Sequence, residues 1–261
     1  MELKIYQVDA FTDKVFEGNP AAVCPLNEWI DDDLMQKIAE ENNLSETAFF
    51  VDEGQSIALR WFTPKAEIDL CGHATLAAAH VLFKHLNYSK QVISFTTKSG
   101  LLEVSQTNTD YQLSFPATMP LEIKAPEPLL EALCVESASV LAAFDYVVVL
   151  KSQQDVQNIK PDFDQLKTLD LRGVIVTALG DSVDFVSRCF FPKYGVDEDP
   201  VTGSAHCELT PFWAKQLNKN KLTAKQLSKR TGLVGCELIG DKVLLTGKAV
   251  DYMFGSIFIE S

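Results

Sequence analysis

The stretch Asp69-Leu70-Cys71-Gly72-His73-Ala74-Thr75 organises the sequence, because an altered copy recurs downstream as Asp199-Pro200-Val201-Thr202-Gly203-Ser204-Ala205-His206. A second pair of segments precedes them. Arg60-Trp61-Phe62-Thr63-Pro64-Lys65 matches Arg188-Cys189-Phe190-Phe191-Pro192-Lys193 at four of six positions, with an offset of 128 residues. Two matches in the same order, at nearly the same offset, indicate one duplicated unit with a period far longer than that of solenoid repeats. The sequence therefore predicts two similar domains.

The composition excludes several classes of function. The 261 residues carry a net charge of −13, which would repel a nucleic-acid backbone, so nucleic-acid binding is not expected. The longest apolar runs, such as residues 146–150, are far shorter than the roughly 20 residues of a membrane-spanning helix. Six scattered cysteines without a CxxC pair are typical of reduced thiols, and residues 1–8 read as a strand rather than a signal peptide. We expect a cytoplasmic protein without membrane contact.

The order of the elements suggests where the domains divide. We expect a first domain over residues 1–116, a connection over residues 117–128 marked by several prolines, and a second domain over residues 129–261. An alternative is that the last strand packs back on the first domain. The run from Ala74 to Phe83 is apolar on nearly all sides, which predicts a buried helix, and short strand-like segments surround it. The pattern favours a sheet rolled around that helix.

The repeated stretch places a glycine at the start of a buried helix in each half. Free backbone N–H groups and the positive end of the helix dipole favour anions at such a position. The small residues Gly72, Gly203 and Ala205 would let a ligand approach the backbone closely. The alternative is that each glycine only caps its helix, and the spacing does not decide between the two interpretations.

Glu46 differs from its counterpart in the other half. The offset of 128 residues aligns it with Val174, so one half has a carboxyl group at a strand entrance where the other has an apolar side chain. A carboxyl group among Ala48, Phe49 and Phe50 would be partly desolvated, which raises its pKa and suits proton transfer near neutral pH. A solvated glutamate at a strand end is the alternative.

Four motifs resemble those of the phenazine biosynthesis PhzF-like family. They are Gly18-Asn19-Pro20-Ala21-Ala22-Val23, Asn42-Asn43-Leu44-Ser45-Glu46-Thr47-Ala48-Phe49, Asp69-Leu70-Cys71-Gly72-His73-Ala74-Thr75 and Glu198-Asp199-Pro200-Val201-Thr202-Gly203-Ser204-Ala205-His206. The resemblance implies an α+β fold of the diaminopimelate epimerase type. That fold has two similar domains, each a mostly antiparallel β-barrel around a central buried helix, with the active site in the cleft between them.

The resemblance also implies a function and a set of site residues. Glu46 would be the general acid/base, with His73, Asp199 and Ser204 as the other catalytic residues. The predicted substrate-binding residues come from the same motifs: Asn19, Ser45, Gly72, Ala74, Gly203 and Ala205. The implied reaction is a cofactor-independent isomerisation that moves a proton on a small carboxylate, in a homodimer. Two alternatives remain, namely a non-catalytic ligand sensor or partner-binding protein on the same fold, and an epimerase or racemase with unlike acid and base groups.

Cys71 and the histidines outside the motifs carry weaker signals. A related branch of the fold uses one cysteine ahead of each glycine, but here Thr202 holds the second position, which argues against a cysteine pair. Cys71 with His73 would suggest a thiol nucleophile, yet residues two apart at a helix start are not expected to face each other. His80 and the pair His206-Cys207 are poor metal candidates, because no further ligands follow at suitable spacing, and no metal site is expected.

Overall fold

The computed structural model describes residues 1–260, which divide into two compact units. The first unit comprises Met1–Ser114 together with the chain from Thr246 onward, and the second comprises Phe115–Leu245. Residues 117–128 belong to the second unit, and the chain from Thr246 onward belongs to the first.

The first unit is a mixed sheet with two helices. Its strands are β1 (Glu2–Ala10), β2 (Asn19–Leu26), β3 (Glu46–Asp52), β4 (Ile57–Phe62), β5 (Glu67–Ile68), β6 (Val92–Thr97), β7 (Gly100–Thr107) and β8 (Asp110–Pro116), joined by β18 (Ala249–Phe258). The parallel pairs are β2 with β3 and β4 with β6. The antiparallel pairs are β18–β1, β1–β2, β3–β4, β4–β5, β6–β7 and β7–β8. The last strand therefore completes this sheet by pairing with the first.

The second unit repeats the same series of pairings. Its strands are β9 (Leu121–Glu122), β10 (Ser139–Ala142), β11 (Tyr146–Val149), β12 (Val174–Leu179), β13 (Phe185–Phe191), β14 (Val196–Asp199), β15 (Lys221–Gln226), β16 (Gly232–Ile239) and β17 (Lys242–Gly247). Parallel pairing joins β11 to β12 and β13 to β15. Antiparallel pairing joins β12–β13, β13–β14 and β15–β16, as in the first unit. Both units are thus mostly antiparallel with few helices, which confirms the expected α+β class.

Helix α1 (Asp32–Asn42) begins beside three consecutive aspartates, Asp31, Asp32 and Asp33, whose negative charge favours a helix N-terminus. The Asp31 carboxylate accepts a hydrogen bond from the backbone N–H of Asp33 at 3.0 Å, and Asp32 pairs with Arg60 at 2.8 Å. Asn43 ends the helix in the left-handed conformation, with a φ of 48°. The apolar face of α1 is buried against β2 and β3. The first two aspartates are thus accounted for by capping and by an ion pair.

Helix α2 (Gly72–Lys84) is buried from His73 to Leu82 and packs on β1, β2 and β3. An alanine-rich helix without a polar face has no surface to present to water, so burial on all sides follows from its sequence. It places its second residue, His73, against the ends of two strands.

Helix α6 (Gly203–Leu217) in the second unit continues through Pro211. Proline has no N–H, so the carbonyl of Cys207, four residues earlier, loses its partner within the helix. That carbonyl accepts a hydrogen bond from the backbone N–H of Thr118 at 3.1 Å. The helix therefore tolerates the proline because a loop of the same unit supplies the missing donor.

Three short helices complete the second unit. They are α3 (Glu127–Ala132), α4 (Gln153–Asn158) and α5 (Phe163–Leu166), followed by a 3-10 turn at Pro192–Tyr194. These helices pack on β10, β11, β12 and β13 in a shared apolar core. Among residues 1–260, no helix combines the length and apolar character needed to cross a membrane.

Candidate active site

Four of the predicted site residues meet in the first unit. Glu46 is the first residue of β3 and pairs with Ala21 of the parallel strand β2, while Asn19 is the first residue of β2. The start of α2 places His73 against both strand ends. The Nε2 atom of His73 lies 2.8 Å from Oε2 of Glu46, and both side chains are largely buried, with 7% and 14% exposure.

A chain of contacts continues from His73 to the neighbouring motif residues. The Nδ2 atom of Asn19 lies 3.2 Å from Nδ1 of His73, and the hydroxyl of Ser45 donates to Oδ1 of Asn19 at 3.2 Å. With the Asn19 amide donating, Nδ1 of the neutral His73 ring is the acceptor and its proton lies on Nε2, the nitrogen that is 2.8 Å from Glu46. Ser45 and Asn19 therefore orient the imidazole whose other nitrogen contacts the carboxylate.

The electrostatics of this pair favour holding a proton. Burial lowers the pKa of His73, but Cys71 and Glu46 raise it, and the net pKa lies well above its ordinary value. The Glu46 carboxylate at 2.8 Å contributes to that direction, because an adjacent negative charge stabilises the imidazolium. Glu46 and His73 thus form a buried pair that can keep or release a proton.

Cys71 lies closer to His73 than the sequence suggests. Its Sγ atom is 3.5 Å from Nδ1 of His73, so the expectation that these side chains do not face each other is wrong. Cys71 is the N-cap residue with an extended φ of −146°, outside the helical geometry on which that expectation rested. Burial, followed by the charge of Glu46, raises the pKa of the Cys71 thiol. A neutral buried thiol is a poor nucleophile, which still argues against covalent catalysis.

The glycines of the repeated stretch stand inside their helices rather than before them. Gly72 and Gly203 are the first residues of α2 and α6, and the N-cap residues are Cys71 and Thr202. Neither N-cap side chain forms a capping hydrogen bond. The glycines are therefore the first residues of their helices and not the N-cap residues. Ala74 and Ala205 follow in the first turns and are buried.

Asp199 and Ser204 lie in the second unit, where each has its own partners. Asp199 ends β14, and its Oδ2 atom accepts a hydrogen bond from the Thr202 hydroxyl at 2.5 Å. Gln226 of β15 holds this loop, since its amide donates to the Asp199 carbonyl at 2.7 Å and accepts from the Thr202 N–H at 2.9 Å. Two hydrogen bonds with Gln226 therefore anchor the loop that leads into α6 to β15.

The hydroxyl of Ser204 accepts a hydrogen bond from Arg172 at 3.0 Å. Arg172 forms a two-fold ion pair with Asp145, whose side chain is fully buried. Because the guanidinium occupies a lone pair of the Ser204 oxygen, the serine proton is left to donate elsewhere. Glu208, one turn further along α6, is also buried, and burial together with Asp145 raises its pKa to about 8. These groups form a buried network behind Ser204.

Sequence patterns did not reveal Asp145, Arg172, Glu208 or Gln226. Each stands alone in its segment, and Arg172 and Ser204 are 32 residues apart in the chain. The one available signal was the presence of acidic residues and an arginine inside otherwise apolar segments. Such residues are rarely buried unless they are paired.

Among residues 1–260, two groups bring metal-ligand atoms within 4.8 Å of one another: Glu46 with Cys71 and His73, and His80 with His85 and Asp251. The first group is the pair described above with a neutral thiol, so two of its three members already contact each other as acid and base. The second group lies elsewhere in the first unit.

The chain is similar to known proteins over nearly its whole length. A family model described as phenazine biosynthesis-like protein, PhzC-PhzF, matches residues 8–255. A protein of Pseudomonas aeruginosa named as an uncharacterized isomerase is 51% identical over 99% of this chain and 100% of its own length. The crystal structure of a PhzF-family protein from Enterococcus faecalis has a TM-score of 0.97 at 50% identity, covering 99% of this chain and 100% of the other.

A more distant likeness concerns the fold alone. The structure of a protein from Pseudomonas aeruginosa described as a predicted epimerase has a TM-score of 0.73 at 18% identity, covering 99% of this chain and 100% of the other. The architecture is therefore shared by proteins whose sequences have diverged widely.

Proposed function

Because the chain belongs to the PhzC-PhzF family of phenazine biosynthesis-like proteins, we propose that it isomerises a small carboxylate by moving a proton between two carbon atoms. Relatives that match over their whole length are named isomerases, and the chain is accordingly an isomerase. In the proposed reaction Glu46 accepts a proton from one carbon of the substrate and returns it to another. No group is transferred and the substrate is neither oxidised nor reduced.

The contact between Glu46 and His73 carries this proposal. A carboxylate that takes a proton from carbon needs a partner that stabilises both of its protonation states, and His73 at 2.8 Å can donate to the carboxylate or accept from the acid. Both side chains are largely buried, so bulk water competes little for the proton. Ser45 and Asn19 fix the ring, which is the arrangement that general acid–base catalysis requires.

We propose that the helix start in each unit, that of α2 in the first and that of α6 in the second, can bind a carboxylate. The N-cap side chains of Cys71 and Thr202 form no capping hydrogen bond, and Gly72 and Gly203 present no Cβ atom to a ligand. Asp199 and Ser204 are proposed to assist, Ser204 as a hydrogen-bond donor directed by Arg172. Gly203 and Ala205 follow as backbone contacts, as Gly72 and Ala74 do in the first unit.

The repeated fold supports different roles for the two units, namely anion binding in both and acid–base chemistry in the first. Both repeat the order and sense of strand pairing, and Val174 is the first residue of β12 as Glu46 is of β3. We infer that the units descend from one ancestral unit, and that backbone anion binding was retained in both. The acid/base pair belongs to the first.

Exchange of solvent deuterium into carbon positions of small carboxylates tests the proposal. Wild-type protein in D₂O should introduce deuterium into at least one member of a panel of cyclic and unsaturated carboxylates, measured by proton NMR and mass spectrometry. Glu46→Gln should slow this exchange by about 10²-fold or more, because general acid–base groups contribute about 10²–10⁴-fold. Glu103→Gln, which removes an exposed carboxylate of β7, is the matched control and should exchange at the wild-type rate.

Equal exchange by wild type and Glu46→Gln would contradict the role of Glu46. Carboxylate binding without any exchange would favour the alternative of a non-catalytic ligand-binding protein. A family-based expectation of a homodimer is tested separately by light scattering in solution.

A further inference from the structure

A second cluster of ligand-type side chains lies in the first unit, outside the site described above. His80 is buried within α2, His85 is the C-cap residue of that helix, and Asp251 belongs to β18. The Nε2 atoms of His80 and His85 lie 2.9 and 3.0 Å from the same atom, Oδ1 of Asp251. Two imidazoles from one helix end and one carboxylate from a distant strand thus converge on a single point.

Aromatic neighbours hold both imidazoles in place. The Nδ1 atom of His80 lies 3.0 Å from the hydroxyl of Tyr111. The ring of His85 packs between Tyr6 and Phe254, at centroid distances of 4.8 and 6.2 Å. Metal-binding histidines typically have a hydrogen-bond partner on the second ring nitrogen, which fixes the tautomer and leaves the first nitrogen for the metal. His80 with Tyr111 meets this description.

Lys84 occupies the other carboxylate oxygen. Its Nζ atom lies 2.7 Å from Oδ2 of Asp251. The lysine therefore leaves Oδ1, the oxygen that the two histidines share, as a single available ligand atom. A lysine also places a positive charge beside the site, so its removal is expected to favour cation binding.

We propose that His80, His85 and Asp251 form a binding site for one divalent transition-metal ion of the zinc type. Two imidazole nitrogens and one carboxylate oxygen suit Zn²⁺, Co²⁺ or Ni²⁺ better than Mg²⁺ or Ca²⁺, which prefer oxygen ligands only. His80 is 4% exposed, whereas His85 and Asp251 are each 22% exposed, so the site opens to solvent on one side. A water molecule would complete the coordination there.

The position of the site indicates what the metal would do. His80 and His85 belong to the end of α2, and Asp251 belongs to the strand that pairs with β1. A bound ion would join that helix end to the last strand and so stabilise the folded protein through binding. This role is independent of Glu46 and of the proposed isomerisation.

Spacing in the sequence does not reveal this site. His80 was a poor candidate because no ligand set followed it, and the carboxylate that completes the set is 171 residues away. The fold supplies the third ligand by pairing β18 with β1 beside α2.

Titration with Co²⁺ and then Zn²⁺ tests the proposal on full-length protein that was purified without a polyhistidine tag and stripped with a chelator. Wild type should bind one equivalent of Co²⁺, with a visible absorption band that one equivalent of Zn²⁺ removes. Zn²⁺ should also raise the melting temperature. Affinity should fall as the pH is lowered, because protonated histidines cannot bind the metal.

Two variants act in opposite directions. His85→Ala should weaken Co²⁺ affinity by about tenfold or more and should abolish the shift in melting temperature. Lys84→Met should tighten binding, because it removes a competing cation and frees a carboxylate oxygen. Cys71→Ala, which disrupts the other group of ligand atoms, should bind Co²⁺ as wild type does.

Absence of one-equivalent binding in wild type and in Lys84→Met would overturn the proposal. Binding that survives His85→Ala and is lost in Cys71→Ala would overturn it as well, since the ion would then occupy the other group. Deuterium exchange into carboxylates is a separate readout, so failure of the metal site and failure of the isomerase proposal are distinguishable.

Discussion

The Nε2 atom of His73 lies 2.8 Å from Oε2 of Glu46, and this contact joins the start of a buried helix to the start of a strand. Burial disfavours charge on either group taken alone, whereas the pair lowers that cost because each charge compensates the other. The contact therefore gives the first unit a buried acid–base pair that its counterpart lacks, since Val174 occupies the equivalent strand position.

We expect Glu46→Gln to lower the pKa of His73. Burial lowers that pKa, whereas Cys71 and the Glu46 carboxylate raise it, so removal of the carboxylate removes one of the two contributions that oppose burial. An NMR titration of the His73 ring, assigned with His73→Asn, measures the change. Glu103→Gln should leave the pKa of His73 as in wild type, and an unchanged value in Glu46→Gln would contradict the assigned cause.

The same pair gives a pH dependence of stability. The pKa of His73 is raised above the unfolded value of about 6.5, so the folded state retains a proton that the unfolded state releases. Its stabilisation is fully present below pH about 6.5 and is lost as the pH rises through the folded pKa. Urea unfolding between pH 6 and 9 should show this loss in wild type, and Glu46→Gln should show less of it.

Glu208→Gln should flatten a second pH dependence. Burial and Asp145 raise the pKa of Glu208 to about 8, so the folded state holds a proton that the unfolded state loses near pH 4.5. The resulting stabilisation is present below that pH and is lost as the pH rises toward 8, by up to about 1.4 kcal/mol per pH unit. Urea unfolding from pH 5 to 8 measures the slope. Glu131→Gln, an exposed control in the same unit, should retain the wild-type slope.

Arg172→Met should destabilise the protein by about 3 kcal/mol, the lower end of the range for breaking a buried ion pair. The side chain of Asp145 is fully buried and would lose its counter-charge, although Arg172 itself is 35% exposed. Urea unfolding provides the measurement. Lys167→Met, which breaks the exposed pair with Asp164, is the control and should cause no measurable change. The double variant Asp145→Asn with Arg172→Met should recover part of the loss.

Gly18→Ala should destabilise the protein more than Gly54→Ala. Both glycines have positive φ, at 69° and 84°, so both substitutions place alanine in the left-handed region at a cost of about 1–2 kcal/mol. A Cβ atom on Gly18 would also overlap the Ala10 carbonyl oxygen, whereas a Cβ atom on Gly54 meets nothing within 4 Å. We expect an additional loss of about 1–3 kcal/mol for Gly18→Ala in urea unfolding. Equal losses would show that the loop before Asn19 adapts.

Strands and helices with strong local patterns were predictable. Ile57–Phe62 is mostly apolar and forms β4, and α1 begins beside the three consecutive aspartates Asp31, Asp32 and Asp33. Lys221–Gln226 has mostly polar residues, so its own sequence does not predict a strand. It becomes β15 through pairing with β13 and β16, and such pairing depends on residues far away in the chain.

The sequence alone identifies the residues around the two glycines and the contrast between Glu46 and Val174. The duplicated unit repeats a local pattern, so a position where the two copies differ can be recognised. No local sequence pattern predicts the contact of Ser204 with Arg172 or the contacts of His80 and His85 with Asp251. They form because strand pairing brings together side chains that are 32, 171 and 166 residues apart. A buried charge gains its partner only when the chain has folded, so these contacts depend on the packing of the whole sheet.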